Sequence, residues 1–370
     1  MYNHLKFTVN YIKMSTLLIL GIVILACGNG KMPPDSQQLT YSAFNCPNTI
    51  NVSFPGVSGI RQVTGSSNVY ITGVYTQYGA NHAFLYQGPI SGNGICNAFN
   101  YPSSESLTVT ATSLYGPDNS TNGNVVVVGS YTTLQAGPIA QLGLLYQGAS
   151  DGSTLNGYST LNPASLTTDT IINTLGHSVM NGIVVGNYDT NIATGKAFIY
   201  NINTGSYFNL TKIPTPSLSI TAYGIWYNGG TSYTITGGYS DINESGMNIG
   251  YIVDWDSATN RESNFTTLNY GNLPESIVGT HFEGITTDGS GGYNLAADWQ
   301  YNNGSGKTTP SFAHITRNSN GTFATPQWTP FSYYPASSWT SANTVYQNYI
   351  LGLYQAGTPT KDYGYTAYIP

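Results

Sequence analysis

Little in this chain is charged. Only 7% of its 370 residues are Asp, Glu, Lys or Arg, against about 25% in ordinary soluble domains. The ten Lys and Arg form no basic run, which excludes an electrostatic nucleic-acid surface and a polybasic membrane patch. Cysteine is also rare. There are three, none with His at metal-ligand spacing, so a zinc site is excluded. The sequence holds no Gly-x-Ser-x-Gly elbow and no His-Glu-x-x-His pair, so two common hydrolase designs are missing. No motif calls for a cofactor or a metal. The N-terminal apolar run, Leu17 to Ala26, is too short for a bilayer span of about 20 residues. Helix formers such as Ala, Leu, Glu and Lys are thin. In their place stand 43 Gly, 31 Tyr and many Ser, Thr and Asn, which favour strands and turns. The composition predicts an all-β protein.

Lys6 and Lys13 precede the apolar run, the layout of an export signal. The run ends Ile24-Leu25-Ala26-Cys27 and resembles the lipobox of bacterial lipoproteins. The resemblance implies that residues 1–26 are a signal peptide. It also implies that Cys27 carries a lipid tying the chain to a membrane. Gly28 at the next position implies sorting to the outer membrane or cell surface. Residues 27–40, with Pro33-Pro34, read as a flexible tether. Only Cys46 and Cys96 remain. In an exported chain an isolated pair predicts a disulfide, with two free thiols as the alternative.

Two signals recur six times. The first is a small-x-aromatic triplet closing a β-type run: Gly73-Val74-Tyr75, Gly129-Ser130-Tyr131, Gly186-Asn187-Tyr188, Gly237-Gly238-Tyr239, Ala297-Asp298-Trp299 and Gly352-Leu353-Tyr354. The second opens the next strand with a small residue, as in Ala83-Phe84-Leu85-Tyr86 and Ala197-Phe198-Ile199-Tyr200. A further strand candidate lies upstream, clearest at Ser58-Gly59-Ile60, Tyr223-Gly224-Ile225 and Glu283-Gly284-Ile285. Weaker counterparts are Thr112-Ser113-Leu114, Asn173-Thr174-Leu175 and Ser341-Ala342-Asn343. With a fourth strand after the second signal, each repeat is four short strands in about 55 residues, the period of a propeller or an array of small sheets.

The ends of the chain choose between these. The sixth repeat stops after its third strand, and an extra strand candidate, Thr49–Phe54, precedes the first. An N-terminal strand completing the last sheet closes a ring and removes two exposed edges. The expectation is a six-bladed β-propeller over residues 41–370, of four-stranded antiparallel blades, acting as a monomer. The small-x-aromatic triplets are expected to let blades approach closely and to fill the space between sheets.

His82-Ala83-Phe84-Leu85-Tyr86, with Gly59-Ile60 and Gly73-x-Tyr75 before it, is similar to the extracellular repeat called the HAF family. The other copies are degenerate versions of it. The resemblance implies an exported, propeller-like repeat and no particular chemistry.

A residue shared by six blades is structural, so a site should lie in residues that differ between them. Flanking the innermost strands, these are Arg61, Tyr115, His177, Trp226 and His281 as ligand-binding candidates. Arg61 offers a bidentate fork for a carboxylate, and Trp226 a face for a sugar or aromatic ring. Were the chain an enzyme, Glu283 with Asp288 or Asp298 would supply the two carboxylates of a glycosidase. The leading expectation is a non-enzymatic surface module binding a glycan or protein at the central channel face. The rivals are a carbohydrate hydrolase or lyase on the same fold, and a structural envelope component.

Overall fold

The computed structural model describes residues 39–44, 46, 53–134, 139–193, 195–212, 217–241, 248–274, 276–302, 308–332, 339–357 and 361–370. The signal segment, Cys27 and the tether lie outside the described residues. Thr40–Pro370 form one compact unit. It is all-β, and its sheets are the six blades of a propeller.

A short strand, β1 (Thr40–Phe44), comes first. Blade 1 is β2 (Ser53–Gln62), β3 (Val69–Gln77), β4 (Ala80–Gly88) and β5 (Ile95–Ala98). Blade 2 is β6 (Val109–Asn119), β7 (Val125–Thr133), β8 (Leu142–Gly148) and β9 (Tyr158–Leu161). Blade 3 is β10 (Ile171–Met180), β11 (Ile183–Thr190), β12 (Lys196–Asn201) and β13 (Ser206–Asn209). Blade 4 is β14 (Ser217–Gly229), β15 (Ser232–Asp241), β16 (Asn248–Asp256) and β17 (Arg261–Leu268). Blade 5 is β18 (Val278–Thr287), β19 (Tyr293–Tyr301), β20 (Thr309–Ile315) and β21 (Gln327–Pro330). Blade 6 is β22 (Trp339–Thr340) and β23 (Thr344–Tyr346), which share the inner position, then β24 (Tyr349–Ala356) and β25 (Lys361–Tyr368). Within each blade every strand pairs antiparallel with the next.

The ring closes through β1, which pairs with β25 from Thr40↔Tyr368 to Phe44↔Gly364. An N-terminal strand therefore completes the last blade, but it lies nine residues earlier than Thr49–Phe54. Ser53 and Phe54 open β2 instead, and residues 49–52 fall outside the described residues. The strand signal of Thr-Tyr-Ser-Ala-Phe is weak in sequence because only Phe44 is buried on it. That one side chain fixes the strand, meeting Tyr86 of blade 1 edge-on at 5.2 Å. Two residues on, Cys46 is bonded to Cys96 on β5, with the Cα atoms 5.7 Å apart. Strand and disulfide thus fasten the same seam, between blade 6 and blade 1.

The repeated glycine has a local cause. In blades 1 to 5 the inner strand carries a β-bulge opposite the triplet, marked by a register skip at Ser58, Tyr115, His177, Tyr223 and Glu283. In blade 6 the interruption between β22 and β23 puts Asn343 in the same place. The bulge pushes an inner-strand carbonyl toward the second strand. A Cβ on Gly73, Gly129, Gly186, Gly237 or Gly352 would sit 2.0, 2.0, 2.1, 2.0 or 2.0 Å from the carbonyl oxygen of Gly56, Ser113, Leu175, Thr221 or Ser341. The close approach is therefore within a blade, and the expectation of inter-blade contact at the glycine is corrected. The aromatic of the triplet does pack between blades. Tyr131, Tyr188 and Tyr239 each join a buried cluster shared with the preceding blade, and Trp299 stacks at 3.8 Å on Tyr270 of the connection from blade 4.

Candidate functional site

Each bulge has a second effect: it turns one side chain per blade off the sheet and toward the ring axis. The residue after it is Gly59, Gly116, Gly224 or Gly284, or Ser178 or Thr344, and here neighbouring inner strands touch. A Cβ on Gly59 would meet the Tyr115 carbonyl, and one on Gly116 the backbone of Ser178. The sequence signal x-Gly-Ile therefore reads as a channel residue, a contact residue and a core residue. It also sets the phase of the weak copies: they are Tyr115-Gly116-Pro117, His177-Ser178-Val179 and Asn343-Thr344-Val345, a few residues from where the sequence placed them.

A cavity follows the axis here. Its walls include Ser58, Arg61, Tyr115, His177, Tyr223 and Glu283, so all blades but the sixth contribute a wall residue from this set, and blade 6 adds Thr344. It offers about 20 Å³ to the centres of water-sized molecules. That is room for one or two waters, and not for a sugar. Of the expected ligand-binding residues, Arg61, Tyr115 and His177 line this cavity; Trp226 and His281 touch residues that do.

Arg61 closes one side of it. From blade 1 its guanidinium donates to the Val179 carbonyl of blade 3 at 3.2 Å. It also lies 3.8 Å from Asp118 of blade 2 and over the ring of Trp226 of blade 4 at 5.5 Å. One side chain thus spans four blades. The fork expected to receive a ligand carboxylate is engaged inside the protein, and the Trp226 face expected to receive a sugar is covered by it. Burial lowers the Arg61 pKa against the pull of Asp118. Burial raises that of Asp118 against Arg61 and the Asn181 N–H, which donates to it at 2.7 Å.

Across the opposite side runs a row of rings. Tyr115 meets His177 at 5.3 Å, His177 stacks on Tyr223 at 3.8 Å, and Tyr223 meets His281 edge-on at 4.5 Å. The row crosses blades 2 to 5. His177 is buried and holds the Asn187 Oδ1 through Nε2. Desolvation takes its pKa down to about 3, so it stays neutral. With its proton directed at Asn187, the ring leaves Nδ1 as an acceptor, and Nδ1 has no hydrogen-bond partner. His281 reaches Thr221 of blade 4 at 2.7 Å. Room for it comes from Gly238, where a Cβ would fall 2.4 Å from the imidazole. Its Nδ1 lies 2.9 Å from Glu283 Oε1, though off the line of a directed hydrogen bond. Burial, then the Glu283 charge, raise the Tyr223 pKa well above its usual value.

The three carboxylates are not brought together. Glu283 is in the channel beside His281. Asp288 sits in the turn after β18, accepting from the Ser290 and Gly292 amides at 2.7 and 2.8 Å and facing His314 at 3.1 Å. Partial burial pushes its pKa up, but the hydrogen bonds from Ser290, His314 and Gly292 outweigh this and hold it at about 2. Asp298 is buried on β19 and accepts from the Ala342 amide of blade 6 at 2.9 Å. Neither Asp288 nor Asp298 lines the cavity. A glycosidase pair flanking one bond does not arise from this arrangement. Among the described residues no group of three or more His, Cys, Asp or Glu is placed to hold a metal.

Sequence reasoning missed Tyr223 because it sat inside a repeat signal, and Asp118 because no local pattern tells which blade a strand end will face. It also missed a surface feature. Loops between second and third strands share one end of the ring with the blade-to-blade connections, and backbone bonds such as Asn302 N–H to Ile277 O and Leu134 N–H to Thr108 O join them. Among the described residues six exposed apolar side chains lie at that end: Tyr78, Leu134, Ile192, Leu218, Ile277 and Tyr301. The most exposed, at 98, 72 and 74%, are Tyr78, Leu134 and Ile192, at the loop tips of blades 1, 2 and 3. At the other end, among the described residues, are Ile95, Leu155 and Tyr368. Thr40, where the preceding chain joins the propeller, is at this other end, beside Tyr368.

No protein-family model and no curated protein matches the chain. Solved structures do, distantly. A levansucrase from Bacillus subtilis is 9% identical, with 74% of this chain and 86% of that one covered and a TM-score of 0.41. A beta-1,2-mannobiose phosphorylase from Listeria innocua is 9% identical, with 91% and 93% covered and a TM-score of 0.39. A tail fibre of a Staphylococcus aureus phage is 10% identical, with 86% and 88% covered and a TM-score of 0.33. At these identities and scores nothing about activity passes to this chain.

Proposed function

We propose that this chain is an exported, lipid-anchored propeller that binds a protein partner on the loop end of the ring. The observation that carries this is that, among the described residues, six of the nine large apolar side chains left exposed lie at that end, Tyr78 at 98%. Exposed apolar side chains gathered on one end of a folded chain suit an interaction surface. Four of the six side chains there are aliphatic. They suit the apolar core of a protein interface, whereas a glycan is gripped by flat aromatic faces. The channel, closed by Arg61 and the ring row, offers no room for a saccharide.

The test places a photoreactive side chain at Ile192 and, separately, at Leu155 on the opposite end, in the full chain within the cells that export it. A discrete protein adduct from position 192 and none from 155 is expected. No adduct from 192, or equal adducts from both, overturns the reading. Release of sugar from a polysaccharide panel, abolished by Glu283→Gln, would favour the hydrolase instead. Labelling with a lipid precursor, lost in Cys27→Ala, tests the anchor; an unlabelled wild type removes it.

A further inference from the structure

We infer that the channel cavity is a binding site for one small ammonium-type cation, held by Glu283 and His177 against the rings of Tyr115 and Tyr223. The site is separate from the loop end and independent of any partner there.

Charge comes first. Around the cavity stand the side chains of Arg61, Asp118 and Glu283, with the neutral imidazole of His177 among them and His281 at its edge. Arg61 and Asp118 offset each other. Glu283 is left with His281, whose imidazole is charged only when protonated. A carboxylate with 16% of its side chain exposed is costly without a counter-charge. The His281 contact lies off the line of a directed hydrogen bond, so a donor cation in the cavity gives the Glu283 carboxylate a directed partner.

The polar atoms then select the kind. His177 is 5% exposed, lines the cavity, and its Nδ1 lone pair has no partner. A lone pair on nitrogen suits an N–H donor. Hard cations such as sodium and potassium prefer shells of oxygen. An ammonium group donates in several directions, here to Nδ1, the Glu283 carboxylate and the hydroxyls of Ser58 and Thr344, which line the same space. The Tyr115 and Tyr223 side chains wall the same space. Size agrees. About 20 Å³ for water-sized centres admits ammonium, and excludes the larger organic amines.

The experiment follows thermal unfolding of the full chain in ammonium, potassium and sodium chloride at equal ionic strength, with binding of isotope-labelled ammonium read by NMR. Ammonium is expected to raise the midpoint most, and potassium to compete about tenfold more weakly. Glu283→Gln should abolish the difference between the salts. Equal midpoints in the three salts overturn the proposal, and need no variant to do so. Potassium binding as tightly as ammonium also overturns it, since the directed N–H bonds would then count for nothing. A Glu283→Gln chain that folds and keeps the ammonium preference does the same. Where that chain fails to fold, the wild-type ranking of the three salts decides.

Discussion

The space between blades and the space at the ring axis are built by the same strands on opposite rules. Between blades the residues repeat: small-x-aromatic triplets, buried aromatics, apolar clusters from one seam to the next. At the axis they differ blade by blade, as Ser58, Tyr115, His177, Tyr223, Glu283 and Asn343. The bulge generates both. It brings a carbonyl against the second strand, so five blades carry glycine there and blade 5 nothing larger than Ala297, and it presents one side chain to the channel, which varies more widely. Repetition therefore marks where the fold is held, and variation marks where chemistry is affordable.

The sharpest way to break this contrast is to put a side chain at the repeated glycine. Gly129→Val sets carbon where the Ser113 carbonyl already lies; we expect a loss of about 5 kcal/mol in urea unfolding, at the extreme for a point change. Next is the seam. Cys46→Ser frees a loop of sequence separation 50, and the loss should be about 3 kcal/mol. The channel gives a pH signature instead. Folded His177 stays neutral down to about 3, while an unfolded imidazole takes its proton near 6.5. Its contribution is complete above that upper value and is lost as pH falls toward the lower one. The slope it adds is at most about 1.4 kcal/mol per pH unit, and His177→Gln should remove it from acid-unfolding curves. The smallest effect is expected at the exception. Ala297→Gly, in the one blade that already tolerates a Cβ there, should change stability by under about 1 kcal/mol.

The fold was legible because its unit recurs. Any one of the triplets is an ordinary strand end, but six in phase leave a propeller or an array, and a missing last strand favours the ring. β1 was read in the wrong place because Thr49–Phe54 carries more β-branched residues than Thr40–Phe44, while the true strand is decided by the docking of Phe44 on Tyr86, a contact from another blade. The channel residues were half legible. Variation between copies pointed at Arg61, Tyr115 and His177, and these do line the cavity. What Arg61 does there was not, since its partners Asp118, Val179 and Trp226 come from three other blades. The pairing of Glu283 with Asp288 or Asp298 failed for the opposite reason. Nearness in sequence counted for little along strands that carry successive side chains to different faces.

Closure by β1 also sets an order of events. Among the described residues β1 lies at the edge of its sheet, and its one strand partner is β25. A polypeptide made N-terminus first delivers Thr40–Phe44 before any of the blades and Lys361–Tyr368 after five of them. Between those moments the first strand has nothing to pair with, and no ring exists. A product truncated in its final blade is then left with two unpaired edges at once, recognisable to proteases and prone to aggregate. The arrival of β25 is the step that gives β1 its partner and shuts both edges.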